Sequence, residues 1–222
     1  MKKIFIPLFV VVLLLACNTV TIGGNNVVDG SGVVVSETRS VSGFDSIELP
    51  GSADVDIKIG DGESVVVETD DNILPLIQTE VRGHTLVIRN KPLTNIRTQN
   101  GVQVTVTMKS LESLRIPGSG NVTITGLDGG SVALDISGSG NVIAQGTADS
   151  VDINLSGSGN ILVGDLQART VEVRIGGSGN VEVYASEALN ASIPGSGSIT
   201  YRGIPASVDK SISGSGSIDP VP

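Results

Sequence analysis

The sequence predicts an all-β protein, a right-handed parallel β-helix with rungs of about 19 residues behind a less regular amino-terminal β segment. Three observations predict it. The tetrad Gly-Ser-Gly-Asn begins at Gly118, Gly138, Gly157 and Gly177, and its variant Gly-Ser-Gly-Ser begins at Gly195 and Gly214, at steps of 20, 19, 20, 18 and 19 residues. The flanks of each copy alternate apolar and polar residues. Composition agrees, with 29 Gly in 222 residues, no Trp and 2% aromatics, so the apolar residues are mostly aliphatic.

The alternation defines the rung. Two residues before the first Gly stand Ile116, Ile136, Leu155, Ile175, Ile193 and Ile212; four after it stand Val122, Val142, Ile161, Val181, Ile199 and Ile218. Polar residues such as Arg115, Asp135, Asn154 and Arg174 fall between, which is the period of a half-buried strand. Each repeat therefore reads as strand, tight turn, strand and a looser return at a Gly such as Gly126 or Gly146. One such unit buries too little to fold alone, so copies must stack and share core and backbone hydrogen bonds. In the turn, Gly is expected to supply positive φ, Asn to tolerate it, and Asn121, Asn141, Asn160 and Asn180 to stack as an amide ladder. At the carboxyl end, Lys210 takes an inward aliphatic position and Pro220 lacks an N–H, features that keep an exposed edge from recruiting another strand.

Upstream, 41–114 reads as the irregular part and 115–222 as the regular rungs. Expected strands are Ser46–Ile59, Ser64–Thr69, Thr79–Val81, Thr85–Arg89 and Val102–Met108, with a hairpin at Arg82-Gly83-His84 and a helical turn within Asn72–Gln78. This part is taken as continuous with the rungs, a separate small β domain being the alternative. Residues 1–16 read as a signal peptide: Met1-Lys2-Lys3 is basic and Ile4 to Leu15 is apolar but too short to span a bilayer. Leu14-Leu15-Ala16-Cys17 resembles a lipobox with cleavage before Cys17, which would carry the acyl chains. Residues 17–40 are expected to be a flexible lipidated tether.

Charge and composition exclude much. Removing Met1–Ala16 takes two of the 14 Lys and Arg and none of the 23 Asp and Glu, moving the net charge from −9 to −11. Nucleic acid is therefore not an expected partner, and the membrane should be reached through the lipid on Cys17. One His and one Cys cannot build a His-cluster metal site, a zinc knuckle or a disulfide, so no metal or cofactor is expected. Gly177-Ser178-Gly179-Asn180-Val181 departs from a calcium-binding nonapeptide roll, with Val at the Asp position and twice the period. The turns lack the Lys and following helix of a phosphate loop.

No catalytic residue is expected. His84 reads as a surface turn residue without a partner, and no Gly-x-Ser-x-Gly elbow occurs. Asp152 and Glu172 should be rung neighbours, with Asp209 further along. Arg174 lies diagonal to Asp152 and Arg115 beside Asp135, so this face reads as salt-bridged and solvated. Mature aromatics are limited to Phe44, Tyr184 and Tyr201, with Tyr184 outward and Tyr201 inward. Thr123 and Thr125 approximate the regular threonine array of an ice-binding surface only locally.

The lipobox, Ser42-Gly43-Phe44-Asp45-Ser46-Ile47, the strand Thr85-Leu86-Val87-Ile88 and the Ile-Ser-Gly-Ser-Gly-Asn-Val rungs together resemble the bacterial "putative auto-transporter adhesin, head GIN domain" family over about residues 41–219. The resemblance implies a right-handed β-helix and an adhesive role in the cell envelope, and by analogy with adhesin heads it leaves homo-oligomers open. It supplies no catalytic residues. This chain lacks a translocator strand region and stalk heptads, so literal auto-transport is not expected. The functional expectation is a non-enzymatic outer-membrane lipoprotein, periplasmic or surface-exposed, that binds a surface glycan or protein. The alternative is a carbohydrate-binding or polysaccharide-degrading β-helix using the acidic ladder at Asp152 and Glu172, and a periplasmic structural or stress-linked factor is a third.

Overall fold

The computed structural model describes residues 26–221, and the signal peptide, Cys17 and the tether up to residue 25 lie outside the described residues. The amino-terminal part carries β1 (Asn26–Asp29), β2 (Val34–Arg39), β3 (Ser46–Glu48), β4 (Asp54–Ile59) and β5 (Ser64–Asp70). A 3₁₀ turn at Leu74–Leu76 leads into β6 (Ile77–Arg82), β7 (Thr85–Asn90), β8 (Thr94–Arg97) and β9 (Gln103–Met108). Gly83, at φ 63°, opens the two-residue β6–β7 hairpin, whose twist suits positive φ at that place. β5 is antiparallel to β2 and β9, and β6 to β7. β9 and β7 then pair in parallel with β4 and β3, so the antiparallel segments close one end of a parallel stack.

The stack continues through β10 (Ser113–Ile116), β11 (Val122–Asp128), β12 (Ser131–Ile136), β13 (Val142–Leu155), β14 (Ile161–Ile175) and β15 (Asn180–Ile193). It ends in β16 (Ser198–Arg202), β17 (Ser207–Ile212) and β18 (Ser217–Pro220). From β10 to β18 all pairing is parallel. One flank joins β4, β11, the first halves of β13–β15, β16 and β18; the other joins β3, β10, β12, the second halves of β13–β15 and β17. This is a parallel β-solenoid. Because β3 and β4 bond directly to β10 and β11, the irregular part and the rungs form one structure. Ser46–Ile59 is interrupted by a turn at residues 49–53, which is itself the first copy of the rung turn.

The core is a set of aliphatic columns. Ile136, Leu155 and Ile175 are in register and each is 0% exposed. Val142, Ile161, Val181 and Ile199 form a second buried column. Since each rung covers the next, only the ends need special closure. At the carboxyl end β17 is exposed along its length, and Lys210 extends its ammonium across the opening to donate to the Ile218 carbonyl at 2.9 Å, 4.7 Å from the Tyr201 ring centre.

Two expectations are corrected. The segment read as tether is structured from residue 26: β1 pairs with β8 and β2 with β5, and Val28 and Val35 pack against the core. A valine-rich run beside an open sheet edge buries more apolar surface as a strand than as a linker. The second correction concerns the turns. None of the glycines of the Gly-Ser-Gly tetrads has positive φ, and neither do Asn121, Asn141, Asn160 and Asn180. The backbone ladder runs straight through each turn, as when Ser158 N donates to Gly138 O at 3.0 Å and Ser178 N to Gly157 O at 3.0 Å. A Cβ on Gly157 would be driven into the Gly138 carbonyl oxygen, and one on Gly159 into that of Gly140. Close approach between rungs, not left-handed backbone, selects glycine here.

Candidate interaction surface

The turns carry a continuous polar spine along one edge of the solenoid. It begins at Asp54, whose Oδ1 accepts from Asn121 Nδ2 at 2.9 Å and Asn121 N at 3.1 Å. Asn141 Nδ2 donates to Asn121 Oδ1 at 2.8 Å, Asn160 Nδ2 to Asn141 Oδ1 at 3.0 Å, and Asn180 Nδ2 to Asn160 Oδ1 at 3.2 Å. Asn160 N and Asn180 N donate to the same oxygens at 3.0 and 3.3 Å. The amide oxygens of Asn141 and Asn160 thus each take both a side-chain and a backbone donor from the next rung, which fixes their rotamers. The register continues to Ser198 and Ser217, where the shorter side chain ends the amide chain.

On the other flank Asp152, Glu172, Asn190 and Asp209 occupy one outward column, and with Ser150, Thr170 and Ser207 they line a shallow groove of about 370 Å³. The expected bridge from Arg174 is not made. Arg174 is in register with Asn154 and Ser192, and among the described residues no ion pair involves Asp152, Glu172 or Asp209. Arg115 does face Asp135, at 3.9 Å. The bridges gather elsewhere: Arg169 meets Glu187 at 2.8 Å and Asp149 at 3.6 Å, and the Glu187 hydrogen bond and charge, then Asp149, raise its pKa. Arg202 bridges Glu182 at 2.6 Å and Asp165 at 3.1 Å.

His84 is 80% exposed in the hairpin and 3.8 Å from Asp45. Tyr201 packs partly against the core, while Tyr184 lies outward in register with Gln167 and Arg202. Among the described residues, no group of three or more His, Cys, Asp and Glu is placed to hold a metal ion, and no helix is long and apolar enough to cross a membrane.

Sequence reading missed a polar knot around the buried Asp70 at the amino-terminal end. The Asp70 carboxylate accepts from Thr98 Oγ1, from Asn100 Nδ2 at 2.8 Å and from Gly32 N at 2.8 Å. These bonds, led by Thr98, hold its pKa below the usual 3.8 although burial opposes them. Its partners lie 28 to 38 residues away in sequence, beyond the reach of any local pattern.

Stacked parallel rungs, a closed amino-terminal end and a polar spine define the class: a β-solenoid repeat protein with extended, regular outer faces. The sequence model of the family described as "Putative auto-transporter adhesin, head GIN domain" matches residues 43–205, and the chain belongs to that family. A putative adhesin from Bacteroides fragilis is similar in structure, with 25% identity, a TM-score of 0.69, and coverage of 87% of this chain and 100% of that one. A putative lipid binding protein from Parabacteroides distasonis is 30% identical, with a TM-score of 0.53 over 89% of this chain and 100% of that one. A putative adhesin from the same organism, 24% identical with a TM-score of 0.60 over 88% and 100%, shares the fold. A comparison with curated proteins returns no match.

Proposed function

We propose that the protein is a non-enzymatic, lipid-anchored module of the bacterial cell envelope whose solenoid mediates adhesion or protein contact. The observation that carries this reading is the rigid outer surface, repeated rung by rung and locked by the Asn121–Asn180 ladder, in a chain of an adhesin-head family. A surface of fixed spacing can bind a repetitive partner through many weak contacts at once. Cys17 supplies the anchor to an outer membrane, with the head on its periplasmic or outer side. The partner is a surface glycan or protein.

Removing residues 138–176 deletes two whole rungs and joins Ser137 to Gly177 in register. The shortened protein should fold and lose attachment to cells or surfaces, and undiminished attachment would count against the proposal. The unpaired carboxylate column supports a second reading, in which the groove at Asp152 and Glu172 takes a carbohydrate, with calcium or by direct hydrogen bonding. It requires Glu172→Gln to weaken glycan binding or turnover, or to abolish calcium-dependent stabilisation; an unchanged variant removes it.

A further inference from the structure

Leu93 is at odds with its surroundings. It is the one non-glycine residue with positive φ among the described residues, at 60°, and it is 81% exposed. A bulky apolar side chain favours neither that backbone conformation nor water, and such a combination calls for a functional reason. The loop is firmly held: Lys91 N donates to Leu76 O at 2.8 Å and Thr94 N to Lys91 O at 3.3 Å, which closes a turn with Leu93 near its tip.

The place of this turn in the fold supplies the reason. β1 and β8 run parallel, with Asn26 in register with Thr94, so the chain reaches the head beside Leu93. Cys17 is nine residues earlier and, once acylated, lies in the bilayer. Nine residues span at most about 30 Å, so this face of the head is held near the lipid surface. In a chain of net charge −9, the segment 91–98 carries Lys91 and Arg97 and no carboxylate. Lys91 is exposed and, among the described residues, makes no ion pair, whereas Arg97 is paired with Asp29.

We propose that the Lys91–Thr94 turn is a second membrane contact, Leu93 entering the interfacial region of the bilayer and Lys91 meeting lipid phosphate, so that the head is oriented as well as tethered. The inference rests on acylation of Cys17. A chain held by lipid alone would tumble freely; one held at two points presents its solenoid at a set angle.

The test uses the full processed chain in vesicles of phosphatidylethanolamine and phosphatidylglycerol. With Cys17 acylated, Leu93→Cys carries the single free thiol and takes an environment-sensitive dye there. Ile204→Cys, 94% exposed on the last rung, is the comparison. The dye at position 93 should shift to the blue and be quenched by nitroxide lipids, and the dye at 204 should do neither. Moved to Lys91→Cys, the dye should shift with Leu93 present and lose that shift in Leu93→Asn, which keeps the fold because Asn tolerates positive φ. An acylated chain whose dye at 93 stays in water overturns the contact and leaves the anchor standing. A wild-type chain that takes dye at Cys17 overturns the anchor and this inference with it.

Discussion

In the stacked rungs the turn glycines have ordinary φ and no room for a methyl group, whereas in the amino-terminal part Gly83 and Gly101 have positive φ and nothing within 4 Å of an added Cβ. The same residue type thus answers two demands. At a hairpin or loop the demand is made by the local backbone, and any residue able to adopt that conformation could meet it. In a rung it is made by the neighbouring turn, whose carbonyl occupies the place of the side chain. The regular region is specified by contacts between copies, the amino-terminal region by individual turns and by a buried carboxylate.

The sharpest way to break this contrast is Gly157→Ala. Its Cβ meets backbone on Gly138, which has no rotamer to relieve the clash, and the same misfit would pass to neighbouring rungs. A loss of about 3 kcal/mol in urea unfolding is expected. Gly83→Ala, strained in conformation but free of contact, should cost about 1–2 kcal/mol. Equal losses would mean that close approach is not what selects the rung glycines.

Next in size is the polar spine. Asn160→Ala removes the side-chain donor to Asn141 and the acceptor of two Asn180 groups, and should cost about 1 kcal/mol. Asn180→Ser should cost less, because Ser198 already ends the chain of amides on the following rung.

The smallest expected effect separates the two regions by pH. Asp70 has a lowered pKa in the folded protein, so its contribution to stability is present above 3.8 and is lost as pH falls through the depressed folded value. Below 3.8 the Gly32 amide, which donates to Asp70, should exchange hydrogen faster relative to the Ser158 and Ser178 amides of the rungs. Parallel acceleration in both regions would show that the polar knot does not act locally.

Much of the solenoid was legible because its information is periodic and local. The inward columns through Ile136 and Val142 follow from alternation plus a nearly constant step, and the β6–β7 hairpin follows from one Gly between two strand patterns. The acidic column was legible in its register, Asp152 beside Glu172, but not in its ion pairing, since Arg174 faces Asn154 and Ser192 instead. Pairing depends on where long side chains reach across a sheet, which alternation does not state. β1 and β2 look like linker in the sequence because their partners β8 and β5 lie far along the chain.

By itself the sequence determined that this protein stacks: six near-identical turns at a steady step leave the aliphatic residues no other shared interior. Only the tertiary structure decided why those turns need glycine, how antiparallel strands close the amino-terminal end, and that Asp70 and Leu93 occupy strained or buried places there. The reason is distance. Adjacent strands lie about 4.8 Å apart wherever they fall along the chain, so the atoms that set these choices are neighbours in space and strangers in sequence.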